Sequence, residues 1–117
     1  MKNLSQQEIS HIIEDEIIVD CYDEAEVDSG WEVFLQAGLK FPFRAKCRIR
    51  RREGEEQWIK ADIVGIQTKR CTYMGDFYVE AEVNGILVPV NLMNIKKVKS
   101  DETTLRTIQV WQRRFEV

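Results

Sequence analysis

The sequence predicts an α+β fold in a single domain, and three features carry that prediction. Apolar residues recur at helical spacing through the first 43 residues, the period drops to two at Arg44, and Asn84-Gly85 separates two alternating runs. With 117 residues, 44% of them hydrophobic, the chain can bury one core but hardly two.

Taken in order, Ser5-Gln6-Gln7-Glu8 has the form of a capping box, and Ile9, Ile12 and Ile13 then make one stripe, so a short first helix is expected. Ile17, Ile18, Cys21, Ala25, Trp31, Phe34 and Leu35 extend a helical face. An interruption is expected near Ser29 and Gly30, which would divide it into two pieces. Gly38 is the expected stop, and Pro42 bars continuation.

From Arg44, the basic side chains Arg44, Lys46, Arg48 and Arg50 alternate with Ala45, Cys47 and Ile49, the pattern of a strand with one buried side. A polar turn follows, then a second strand over Trp58–Ile66, with Trp58 expected in the core and Gly65 at a bend or bulge. Phe77, Val79, Ala81 and Val83 alternate with Tyr78, Glu80 and Glu82 and run into Asn84-Gly85, a hairpin signal. The partner strand is Ile86–Val90, where Pro89 suits an edge, and a tight turn over Asn91–Ile95 precedes Lys96–Lys99.

Five short strands with one helical turn before the last match a small SH3-like β-barrel. In the tail, Leu105, Ile108, Trp111 or Gln112, and Phe115 form the apolar stripe of an amphipathic helix starting near Ser100 or Asp101. The expected organisation is one domain, 1–117. It comprises an acidic helical segment (1–40), the barrel (41–99) and a C-terminal helix (100–117), with the N-terminal helices packed on the barrel.

Charge is distributed unevenly. Residues 1–43 hold ten acids and two bases (-8), and residues 44–117 hold ten acids and fifteen bases (+5), which together give the net -3. No apolar run approaches the roughly 20 residues that cross a bilayer, and the N-terminal stretch lacks an export layout, so a cytoplasmic protein with no membrane partner is expected. Cys21, Cys47 and Cys71 are too widely spaced for a zinc site, and an odd number points to reduced thiols packed as small apolar groups.

The most unusual stretch is DCYDEAEVDSGW, residues 20–31, with five carboxylates in nine positions: Asp20, Asp23, Glu24, Glu26 and Asp28. On a continuous helix Asp20 would neighbour Asp23 and Glu24, and Glu24 would neighbour Asp28. Such a patch is either the solvated side of a helix or a set of hard oxygen donors for a cation such as calcium. It is not an EF-hand, because Ala25 and Val27 occupy positions where that loop needs oxygen ligands.

IIVDCYDEAE, the following GW, LKFPFRAKC, VGI, FYVEAEVNG and LVPVNLMNI, in this order over roughly residues 16–98, resemble the motifs of a bacterial, cyanobacterial-type non-EF-hand calcium-binding protein family. The resemblance implies reversible, non-catalytic binding of Ca2+, as a buffer or sensor, with Asp20, Asp23 and Glu24 on the acidic motif. Asp28, Asp76 and Glu80 are possible supplementary ligands. The chain departs from the family in the loop TKRCTYMGD, where Lys69 and Arg70 stand in place of a second acidic cluster. That departure implies at most one weak site.

The competing class is an interaction module of SH3-like type without metal. In it, the acidic patch would meet a basic protein partner, or the strand bearing Arg44, Lys46, Arg48 and Arg50, continued by Arg51 and Arg52, would meet nucleic acid. Glu53, Glu55 and Glu56 beside that strand argue against nucleic acid. Nothing suggests an enzyme: His11 has no evident partner in the sequence, there is no Gly-rich phosphate loop, and Asp62 and Tyr73 stand isolated. Oligomeric state is not written in the sequence.

Overall fold

The computed structural model describes residues 3–50, 53–67 and 74–116. Its elements are α1 (Gln6–Ile12), a π-helical turn (Ile13–Ile17), α2 (Glu24–Gly38), β1 (Phe43–Arg50), β2 (Glu56–Ile66), β3 (Tyr78–Val83), β4 (Ile86–Asn91), a 3₁₀ turn (Leu92–Asn94), β5 (Ile95–Lys99), α3 (Glu102–Gln112) and a final 3₁₀ turn (Arg114–Glu116).

Local chemistry explains most boundaries. Ser5 Oγ accepts the Glu8 N–H and starts α1. Asp101 Oδ1 accepts the Thr104 N–H at 2.8 Å and starts α3. That bond is the main reason the Asp101 carboxyl is held below its ordinary pKa. Asn84 and Gly85 both take positive φ, 52° and 81°, as a type I′ hairpin requires.

The strands form one antiparallel sheet in the order β4-β3-β2-β1-β5. It is open: β4 and β5 are its two edges, and the expected barrel closure is not seen. Pro89, on β4, has no N–H to offer a further strand, as an edge position allows. The helices cover the inner face instead. Trp111 of α3 packs edge-on against Phe77 (centroids 6.2 Å apart) and against Trp31 of α2 (5.3 Å), so the sheet is buried without closing on itself. The register of β2 and β3 slips between Ile63 and Gly65, the bulge that the glycine predicted.

Three further sequence expectations need correction. α2 runs unbroken through Ser29 and Gly30, because a Cβ at Gly30 would lie 2.3 Å from the Ile17 carbonyl oxygen; the glycine serves a close approach, not an interruption. Trp58 is 40% exposed, since the alternation that buries Ala61 and Ile63 turns it to the outer face. The buried stripe of α3 is Thr104, Thr107, Ile108, Val110 and Trp111, while Phe115 is exposed. Thr107 stands against Gly38, which has no side chain to keep α3 away, and the helix rolls accordingly.

Candidate metal centre

The acidic residues fall on a turn and a helix start, not on one helical face. The chain leaves the π-helical turn with the Ile18 N–H donating to the Ile13 carbonyl, and the Cys21 N–H then donates to the Ile18 carbonyl. Asp20 sits between them at φ 60°, the left-handed region that aspartate tolerates better than most residues. Asp23 is the N-cap of α2: its Oδ1 accepts the Glu26 N–H at 2.8 Å. Glu26 reaches back, and its Oε2 accepts the Tyr22 N–H at 2.9 Å.

Asp23 and Glu26 therefore make a reciprocal cap with the logic of a capping box. Their charges also lie at the positive end of the α2 dipole, which stabilises them without any ion. Glu24 and Asp28 occupy the first turns of α2 at i, i+4, with Glu24 exposed and Asp28 half-buried. Of the expected neighbours, the helix thus keeps the Glu24–Asp28 pair and leaves Asp20 outside.

The Cys21 thiol is pushed above its ordinary pKa by desolvation first, then by the negative charges of Glu26, Asp20 and Asp23. Its Sγ lies 3.4 Å from the Glu26 carbonyl oxygen. Glu26, outside the expected ligand set, joins this turn through its bond to the Tyr22 N–H. The Asp-x-x-Glu spacing from Asp23 was the available signal.

Asp76, exposed, lies in the lead-in to β3, and Glu80 faces the outer side of β3, where Val79 and Ala81 turn inward. Arg114, stacked on Trp111, donates to the Gly75 carbonyl at 3.1 Å and so ties the Asp76 segment to the C-terminal helix. Lys69, Arg70 and Cys71 lie outside the described residues, as do Arg51, Arg52 and Tyr73. Among the described residues, no three His, Cys, Asp or Glu side chains assemble at metal-ligating range. Asp76 and Glu80 therefore do not complete such a group with the acids of the α1–α2 turn.

The donor chemistry at the turn fits a hard dication: the ligands would be exposed carboxylate oxygens, with Asp23 having one oxygen beyond the one that caps α2. Calcium takes six to eight oxygens, so water would complete its shell. Elsewhere, Cys47 is buried and its thiol is pushed up to about 11 by desolvation. His11 does have a partner that the sequence did not reveal, Asp15 at 3.8 Å, and both are exposed. Asp62 likewise pairs with Arg44 at 3.1 Å. No described helix is long and apolar enough to cross a membrane.

Against proteins already described, residues 11–114 match the model of the CcbP family, whose description is calcium binding. The crystal structure of Anabaena CcbP superposes with a TM-score of 0.79 at 27% identity, covering 97% of this chain and 95% of that one. A second solved structure, a calcium binding protein in the calcium-binding form, gives 0.74 at 28% identity, covering 92% and 89%. No curated protein sequence matches the chain.

Proposed function

The chain belongs to the CcbP calcium-binding family, and from that premise we propose that it binds calcium reversibly at the turn between α1 and α2, without catalysis. The observation that carries the proposal is the family match over residues 11–114, together with the reciprocal cap that holds Asp23 and Glu26 at the turn where Asp20 and Glu24 also stand. Asp20, Asp23, Glu24 and Glu26 are the proposed ligands. Asp28, Asp76 and Glu80 are the acids from which further oxygens would come.

A bound dication would neutralise the repulsion among these carboxylates. It would also join the turn to the start of α2, so binding and folding stability are linked. The acids are stabilised beforehand by backbone N–H groups and the helix dipole, and they are not gathered at ligating range. The ion must therefore draw them together, which favours micromolar-to-millimolar over nanomolar affinity. Weak, reversible binding suits a buffer or a sensor with a low set point.

Thermal melting with and without calcium is the test. If calcium saturates the site at 100 times its Kd, mass action adds about 2.7 kcal/mol, which raises Tm by roughly 10 °C for a domain of this size. In Asp20→Asn/Asp23→Asn/Glu24→Gln the shift should vanish. Asp23→Asn keeps the α2 cap, because asparagine caps as well as aspartate, so lost binding is not confused with lost folding. A wild-type Tm unmoved by about 100 mM calcium, against a control of matched ionic strength, would remove the proposal.

A further inference from the structure

The outer face of β2, β1 and β5 carries a charge arrangement that calcium binding leaves unused. In register, Lys46 of β1 stands opposite Lys60 of β2 on one side and Lys96 of β5 on the other. Three ammonium groups lie in one row across three strands, and like charges directly opposite each other are destabilising. Lys97 has a positive φ of 51° on β5, and Lys99 stands opposite Arg44.

A cavity of about 300 Å³ opens here, lined by Arg44, Ala45, Lys46, Lys60, Lys97 and Lys99, so no carboxylate contributes to its wall. Arg44 is paired with Asp62, and Arg48 with Glu56, so the described acid that weighs most directly against nucleic acid on β1 is held by Arg48 and is not paired with the lysine row. Among the described residues, no acid pairs with Lys46, Lys60, Lys97 or Lys99. The chain is acidic as a whole, but its acids are densest in residues 1–43, and residues 44–117, the segment that contains this face, are net positive by five.

Beside the lysines stands Trp58, the indole that alternation turns outward. It is opposite Arg48 in register, with Lys96 Nζ 3.9 Å from its ring. Trp31 and Trp111 are fully buried, so Trp58, 40% exposed with Lys96 over one ring face, is the described tryptophan whose other face can meet a ligand. A positively charged groove beside an exposed aromatic combines phosphate neutralisation with base stacking. A duplex keeps its bases stacked away from such a ring, and an acidic peptide need not carry a planar group beside each charge, whereas every nucleotide of a single strand pairs a phosphate with an available base.

We propose that this face of β1, β2 and β5 binds single-stranded nucleic acid, with the lysines on backbone phosphates and Trp58 stacked on a base. The test is fluorescence anisotropy of a labelled oligodeoxythymidine with the full chain. EDTA is included so that no calcium bridges phosphate to carboxylate. Affinity should fall with salt at a log–log slope of about -0.7 per phosphate neutralised, and Lys46→Gln/Lys60→Gln should flatten that slope by about 0.7 per lysine removed.

Trp58→Ala should weaken binding about 5-fold or more, as expected for one lost stacking contact, while Trp58→Phe keeps most of the affinity. The lysine variant removes repulsion, so it should melt no lower than the wild type. No binding at low salt, an unchanged slope in the lysine variant, or indifference to Trp58→Ala would each overturn the proposal. So would a concentration-dependent dimer that the lysine variant abolishes, which would make the acidic segment of a second copy the occupant.

Discussion

Gly30→Ala should destabilise this protein, although the same change in the middle of an ordinary exposed helix stabilises it. The gain in helix propensity is about 1 kcal/mol. Against it stands the geometry: a Cβ at position 30 would sit 2.3 Å from the Ile17 carbonyl oxygen and 3.3 Å from its carbon, where ordinary contact begins at 3.4 Å. The obstacle is backbone, so no side-chain rotation relieves it, and α2 must move away from the end of the π-helical turn by about 1 Å.

Overpacking of this kind costs about 1–3 kcal/mol, which leaves a net loss of about 1 kcal/mol and a Tm lower by about 4 °C. The Cys21 Sγ is 3.8 Å from the same Cβ position, so the displacement reaches the acidic turn and calcium binding should weaken as well. Thermal and urea melts of Gly30→Ala, with the exposed Ser29→Ala as control, read the sign directly. A variant that melts above the wild type would show that the close approach is not what fixes the turn.

Four further outcomes follow from the packing and the charges. Trp111→Ala should cost about 3–5 kcal/mol in urea unfolding, whereas Trp58→Ala, on the outer face, should change stability by less than about 1 kcal/mol; similar losses would return Trp58 to the core. Asp101 has a depressed folded pKa, so its capping contribution is complete above the unfolded value and is lost as pH falls through the folded one. Melting temperatures measured from pH 6 down to the acid range should therefore drop faster for the wild type than for Asp101→Asn, and parallel curves would contradict the cap. Finally, in a Cys71→Ser background, Cys47 should resist thiol reagents at neutral pH, its thiol being pushed up to about 11. Calcium should speed the reaction of Cys21 by cancelling the charges of Glu26, Asp20 and Asp23, and a rate indifferent to calcium would place the ion elsewhere.

Elements fixed by neighbouring residues were legible in the sequence. Ser5 and Asp101 as caps, Asn84-Gly85 as a hairpin and Gly65 as a bulge each depend on backbone chemistry within a few positions. What escaped depended on distant partners. Gly30 looks like a helix breaker until Ile17 is seen against it, and the face of α3 is set by Gly38, 69 residues before Thr107. Sheet closure depends on whether β4 and β5 meet, and no local pattern encodes that.

The candidate site was legible in composition but not in geometry. The crowding of Asp20, Asp23 and Glu24 is plain in the sequence, and a continuous helix would make them neighbours. The cap formed by Asp23 and Glu26 divides them, because a helix start satisfies its free N–H groups with whichever carboxylates are near. Glu26 thereby enters the candidate site through a hydrogen bond, not through periodicity.

Isothermal calorimetry of calcium titrated into the full chain, beside Asp20→Asn/Asp23→Asn/Glu24→Gln, tests the proposed site most directly. The α1–α2 site predicts saturable heat with a Kd between micromolar and millimolar for the wild type and none for the variant. Equal binding by the two would show that calcium is held by other residues, and no heat from either would contradict calcium binding by this chain.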